Sequence, residues 1–428
     1  MLEALQRALS IPELKRRISF VLMTFLIFAI GAHIPVPGID RNKLAMIMHS
    51  GAGNVLGLID MFSGGALRRM SLFAMGIAPY INASIIMQMM TIALPQLDAL
   101  SKEGESGRKQ IAKITRYLTV VLAVVQSFSM TFILSQAGTS IPMFQRIQIC
   151  IALTAGSLFL LWLGEQVTQK GVGNGVSLII FAGILLSLPY QISLIPQQIQ
   201  AHTASLAGLL LLIAAFVATV YAVVYITQGT RRIPIQHTKR VIGMRQTQAG
   251  ASYLPIKVNT AGVIPIIFAI SLLLLPATIV NNIPIQTGFI AKLKDWVMYL
   301  SPSVSWTARF IYAALVIVFT YFYTAIVMNV QEMADNLKKY GNYIPGIRPG
   351  KATYDYLERV VSRITLAGAV FLAVIAVLQY VVPAWTGFQT FTLIGGTSLL
   401  IVVGVAIETM QAIEAQLLMR NYEGFIRG

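Results

Sequence analysis

Apolar residues run almost unbroken through ten stretches of this chain, each long enough to cross a bilayer core of about 30 Å, with polar and basic connections between them. The stretches are Ile18–Ile34, Leu72–Leu94, Leu118–Gln136, Ile147–Val167, Val176–Ile195, Leu206–Thr227, Thr260–Val280, Thr307–Met328, Ile364–Val382 and Phe391–Ile413. They predict an all-α polytopic membrane protein. One shorter piece stands apart. Val55, Leu58, Ile59 and Phe62 fall at i, i+3, i+4 and i+7, one face of a helix that Asn54 can cap, and Ser63-Gly64-Gly65 breaks the pattern after about three turns. A half-length helix joined by glycines to a full span needs protein or a water-filled cavity around it, because irregular backbone does not survive in lipid.

Ten spans divide into five and five, and an odd number per half gives the halves opposite topology. The expected division is residues 1–200 and 201–428. A trace of repetition agrees with it: Gly76-Ile77-Ala78-Pro79 opens the second span of the first half, and Gly262-Val263-Ile264-Pro265 the second span of the second half. Five residues after each glycine stands an isoleucine, Ile81 and Ile267.

Charge fixes orientation. Of 32 Lys and Arg residues, 24 fall on the side that holds both termini and the loops Pro95–Tyr117, Gln228–Asn259 and Asn329–Arg363. By the positive-inside rule that side is cytoplasmic. The formal charge of +16 is therefore mainly a topology signal rather than a nucleic-acid footprint. Composition agrees: 56% of residues are hydrophobic, 11% are charged and the mean hydropathy is +0.72, against about 25% charged in soluble domains. Lys15-Arg16-Arg17 precedes the first span, but no small-residue cleavage site follows, so that span is expected to stay. The single cysteine, Cys150, excludes an internal disulfide and is read as a small buried hydrophobe.

Chemistry is sparse. The four histidines are scattered, no metal-ligand spacing, Walker loop or G-x-S-x-G occurs, and Gly171 to Gly175 reads as a tight turn between spans. An enzyme is not expected, nor a cofactor or metal. Ion-coupled carriers keep ionisable groups at mid-membrane, whereas here Glu165 and Glu408 fall near cytoplasmic ends, Arg309 near an outer end and Asp60 in the half-length piece. This argues against the alternative of a secondary transporter for small solutes. An aliphatic constriction that sheds water and offers no fixed hydrogen-bond code suits a substrate of varied sequence. Of the basic loop residues, Arg348 is singled out, because Pro345-Gly346 and Pro349-Gly350 hold it between two turns.

Several motifs accumulate in order: Phe62-Ser63-Gly64-Gly65-Ala66-Leu67, Pro79-Tyr80-Ile81, Glu103 to Arg108, Trp162 to Gln166, Gly171 to Gly175, Lys257 to Pro265, Ala334 to Lys339, Pro345 to Gly350 and Gly395 to Ile401. Together, along essentially the whole chain, they resemble the bacterial SecY family of translocon channel subunits. The resemblance implies ten helices in two inverted five-helix halves around an hourglass pore, closed from the outer side by a re-entrant plug. The plug maps to about residues 54–67, with Asn54, Val55, Leu58, Ile59, Asp60, Phe62, Ser63, Gly64 and Gly65 as its residues. The pore ring maps to Ile77, Ile81, Val176, Ile180, Ile267 and Ile401, with Val176 where isoleucine is common. Asn82, Gln126 and Asn259 fall at a lateral gate between the second and seventh spans, and Arg240, Arg245 and Arg348 at docking loops. The implied partners are the membrane subunits SecE and SecG, the ATPase SecA, the ribosome, signal peptides with the unfolded polypeptide that follows them, and membrane lipid. The implied location is the bacterial cytoplasmic membrane.

Overall fold

The computed structural model describes residues 9–37, 39, 60, 63–136, 141–200, 205–237, 241–242, 245–246, 251–281, 292, 296–297, 299–300, 305–388 and 396–426. Among them a helix stands at each of the ten expected spans: α1 (Pro12–Gly31), α2 (Ala78–Ala93), α4 (Glu105–Gln136), α5 (Met143–Lys170), α6 (Gly175–Gln200), α7 (Leu206–Gln228), α8 (Ile264–Asn281), α9 (Trp306–Val327), α11 (Lys351–Thr386) and α12 (Thr397–Ile426). Two short helices, α3 (Pro95–Lys102) and α10 (Val330–Lys339), lie between them. Seven of the ten are individually long and apolar enough to cross a bilayer.

The second span corrects the sequence expectation. A helix was expected from Leu72, but residues 63–76 are a chain of turns and α2 begins only at Ala78. Gly64, Gly65, Met70 and Gly76 adopt positive φ there (73°, 77°, 43° and 54°), and Pro79 sits in the first turn of the helix, where its missing N–H costs nothing. The turns are nevertheless deeply buried, with Ala66, Leu67, Met70, Ser71, Phe73 and Ala74 all 2% exposed or less. Their backbone groups are satisfied by protein: Val36 N–H donates to Met70 O (2.8 Å) and Leu72 N–H to Ile34 O (2.9 Å). Irregular backbone of this kind is tolerated where protein encloses it, and here α1 and α5 do so. At its far end α2 bends by 100° into α3 at Leu94-Pro95.

Two of the three basic loops are more ordered than the hydropathy pattern suggests. The stretch expected as the loop Pro95–Tyr117 is helical, α3 followed by the first turns of α4. The stretch expected as the loop Gln228–Asn259 holds an antiparallel hairpin of β1 (Thr230–His237) and β4 (Ala251–Lys257), in register from Thr230 opposite Lys257 to Gln236 opposite Ala251. The two-residue pair β2 (Val241–Ile242) and β3 (Arg245–Gln246) lies between them, and β5 (Asn342–Tyr343) adds to β1, giving the order β4-β1-β5. Ile233, Ile235 and Ile256 are the buried alternate positions of this sheet and pack with Leu337, Ile344, Leu357 and Val361 from α10, the β5 turn and α11. A small sheet thus accompanies the helices. Cys150 is half-buried rather than buried, its Sγ 3.0 Å from Ser127 Oγ on α4.

Close approaches fix how the helices sit. A Cβ on Gly156 of α5 would lie 2.0 Å from Leu72 O, so only glycine lets α5 pass the buried turns. Gly156→Val should therefore destabilise the purified protein by about 1–3 kcal/mol, the usual range for overpacking, read as a lowered thermal midpoint in detergent; an unchanged midpoint would contradict the close contact.

Candidate functional site: a cavity floored by aliphatic side chains

The two Gly-x-x-Pro sequences fold alike. Gly76 and Gly262 both take positive φ (54° and 63°), each helix begins two residues later, at Ala78 and Ile264, and each proline occupies the second helical position. The consequence is geometric equivalence of Ile81 and Ile267, each on the first turn or so of its helix. Both project into one cavity of about 440 Å³.

That cavity is walled by α2, the end of α5, the start of α6, α8, α9 and α12. Ile81, Val176, Ile180, Ile267 and Ile401 all line it and belong to a single apolar cluster with Val21, Ile184 and Val405. Four helices, two from each expected half, thus deliver branched side chains to one place. Ile77 lies beside them. It is 5% exposed and packs into the adjoining cluster with Ala66, Phe73 and Ile179, a cluster that shares Ile81 and Val176 with the first. The set of six is contiguous, with Ile77 on the side of the buried turns.

The remaining walls differ in chemistry. Ser84, Gln88, Glu165, Thr168, Gln169, Asn174 and Ser177 make one side polar, while Val263, Ile264, Phe268, Tyr323 and Val405 make the other apolar. Glu165 is held by Arg116 of α4, whose Nε donates to Oε1 at 2.7 Å. Asn174 caps α6, its Oδ1 accepting from the N–H groups of Val176 (3.0 Å) and Ser177 (3.3 Å). The polar wall escapes a reading by span, because no helix gives it more than three residues. Its signal is the spacing Ser84–Gln88 and Glu165–Gln169, i and i+4 on otherwise apolar helices.

The other expected positions are placed as follows. Asp60 is 4% exposed, and Ser63, Gly64 and Gly65 are buried in the turns before α2; Asn54, Val55, Leu58, Ile59 and Phe62 lie outside the described residues. Asn82 on α2 and Gln126 on α4 are half-buried on helices that pack together, and α2 also meets α8. Ile85 of α2 is buried in the same apolar cluster as Ile266 and Phe268 of α8, so this seam is greasy at its centre. Asn259 is 8% exposed and donates from Nδ2 to Gly262 O at 3.1 Å, holding the turn that leads into α8. Its Oδ1 is buried without a partner beside a cavity of about 20 Å³ lined also by Thr227, Lys257 and Glu408, room for one water. Arg348 is exposed between Gly346 (φ 80°) and Gly350 (φ 105°), its carbonyl accepting from Thr353 Oγ1 at 2.9 Å. Arg240 lies outside the described residues, and Arg245 stands in β3.

Ten helices at the expected spans, six of them walling a cavity lined in part by branched aliphatic side chains, define a polytopic membrane protein with the layout of a channel. Solved structures share the fold. A SecY channel determined in a study of its plug domain superposes with a TM-score of 0.65 at 18% identity, covering 94% of this chain and 92% of that one. Sec61 in the canine ribosome–channel complex of the endoplasmic reticulum gives 0.60 at 17%, again over 94% and 92%. Among sequences, the SecY family model matches residues 71–410. The protein translocase subunits SecY of Halalkalibacterium halodurans and Aquifex aeolicus are each 42% identical, and that of Streptomyces coelicolor 40%, over the full length of both chains. The chain belongs to the SecY family.

Proposed function

We propose that this protein is the channel through which unfolded secretory proteins cross the bacterial cytoplasmic membrane, and from which transmembrane segments pass sideways into lipid. One observation carries the reading: five branched aliphatic side chains from four helices converge on the floor of a single half-polar cavity. An ion entering such a collar loses its hydration and gains no ligand, so the collar excludes ions by staying dry. A polypeptide fares better, because its apolar side chains contact the collar directly while its peptide groups keep water in the polar cavity behind. No fixed hydrogen-bond donors select one sequence over another. Family membership across the whole chain favours this reading over a small-solute transporter.

In this account Ile77, Ile81, Val176, Ile180, Ile267 and Ile401 form the pore ring, and the segment of about residues 54–67 is the plug beyond it. The seam between α2 and α8 is the lateral gate, with Asn82, Gln126 and Asn259 lowering the cost of wetting it as it parts. The driving force comes from outside the chain, from SecA or the translating ribosome. We assign exposed Arg348, and with it Arg240 and Arg245, to docking them on the side of both termini, which we place in the cytoplasm. SecE and SecG are the expected membrane partners. We assign no catalytic step to the chain.

Replacing Ile81 and Ile267 together with glycine should raise resting ion conductance in planar bilayers well above that of the parent protein. Unchanged closed-state conductance would remove the ring from the account. Arg348→Glu should sharply reduce SecA-driven translocation while membrane insertion and topology stay normal; full translocation would sink the docking role.

A further inference from the structure

Outside the cavity, one cluster of charged and aromatic groups joins the buried turns to α6. Asp60 accepts twice from Arg68, from its backbone N–H to Oδ1 and from Nη2 to Oδ2, both at 2.8 Å. Around this pair the chain ties a knot: Ser63 Oγ donates to Asp60 O (3.0 Å), Gly65 N–H donates to the same oxygen (2.8 Å), and Leu67 N–H donates to Ser63 Oγ (3.3 Å). The knot touches α6 at two points. Gly64, at φ 73°, lies so close that a Cβ would meet Gly183 O at 3.2 Å, and the Arg68 guanidinium carbon sits 3.4 Å from the centre of the Tyr190 ring. Gly183 and Tyr190 are seven residues apart, two turns along one stripe of the helix.

The two kinds of contact differ in what breaking them leaves behind. Parting Asp60 from Arg68 would strand a carboxylate that is 4% exposed, a costly state. Parting Arg68 from Tyr190 strands nothing, since the ion pair stays whole and the Tyr190 ring, 40% exposed, has no buried polar group to leave unpaired. The weaker joint therefore lies between the knot and α6, not inside the knot.

We propose that Arg68 and Tyr190 form a release latch. The knot from Asp60 to Arg68 leaves α6 as one neutral unit when the channel opens, and the cation–ring contact sets how often it does so at rest. The inference rests on the plug reading above, because the knot is the tether of the residues upstream of Asp60. Tyr190 is a positioning residue, remote from the collar, so it changes the fraction of time open and not the conductance of the open pore.

The test uses the assembled complex in planar bilayers, comparing Tyr190→Leu, Tyr190→Phe and a deletion of residues 56–63. A cation–ring contact of ordinary strength predicts that Tyr190→Leu raises resting open probability about three- to tenfold at unchanged open conductance, that Tyr190→Phe stays near the parent because it keeps the ring, and that the deletion leaks. If the deletion leaks and Tyr190→Leu does not, the latch is wrong and the plug reading stands. If Tyr190→Phe leaks as much as Tyr190→Leu, the ring is not the contact and the latch is also wrong. If the deletion does not leak, the plug reading fails and takes the latch with it.

Discussion

Everything in this molecule answers to one contact: branched aliphatic side chains from opposite halves of the chain meeting at the floor of a cavity. Ile81 and Ile267 approach from α2 and α8, Val176 and Ile180 from α6, and Ile401 from α12. Such a contact is non-directional, so it closes without any register to restore and parts without leaving a polar group unsatisfied. Hydrogen-bonded closure would demand a partner for each donor every time the pore opened. The helices around the contact can then move apart at modest cost, which is the property a channel for varied polypeptides needs.

Meeting at one point requires helices that begin in the right place, and that is the task of the irregular backbone. The left-handed glycines Gly76 and Gly262, each followed by a helix with proline in its first turn, set where α2 and α8 start. The stretch before α2 consequently spends residues 63–76 on buried turns, enclosed by α1 and α5 and hydrogen-bonded to Ile34 and Val36 in the segment that follows α1. Irregular backbone of this kind is tolerated in a membrane protein where neighbouring protein, not lipid, surrounds it.

Much of this was legible in the sequence, and the reasons are physical. Span positions follow from hydropathy, which reports a requirement the bilayer imposes on every crossing helix. The equivalence of Ile81 and Ile267 follows from Gly-x-x-Pro, since glycine and proline each restrict the backbone in a way few contexts tolerate. The late start of α2 was missed because Leu72 to Ile77 is apolar whether helical or not, and hydropathy does not report backbone shape. The hairpin was missed because Pro234 and the basic residues around it read as loop, although Ile233 and Ile235 alternate as a half-buried strand does. The polar wall and the Arg68–Tyr190 contact join residues distant in sequence, and only the packing of α2, α5 and α6 brings them together.

The central claim is that the polypeptide passes through the aliphatic collar itself. Its most direct test is an arrested secretory chain carrying one cysteine, presented to a Cys150→Ala protein with single cysteines at Ile180, at Ile401 or at Phe310, which is 80% exposed on the outer surface of α9. The account predicts disulfide formation with positions 180 and 401 and none with 310. Crosslinks at 310, with positions 180 and 401 silent, would contradict it.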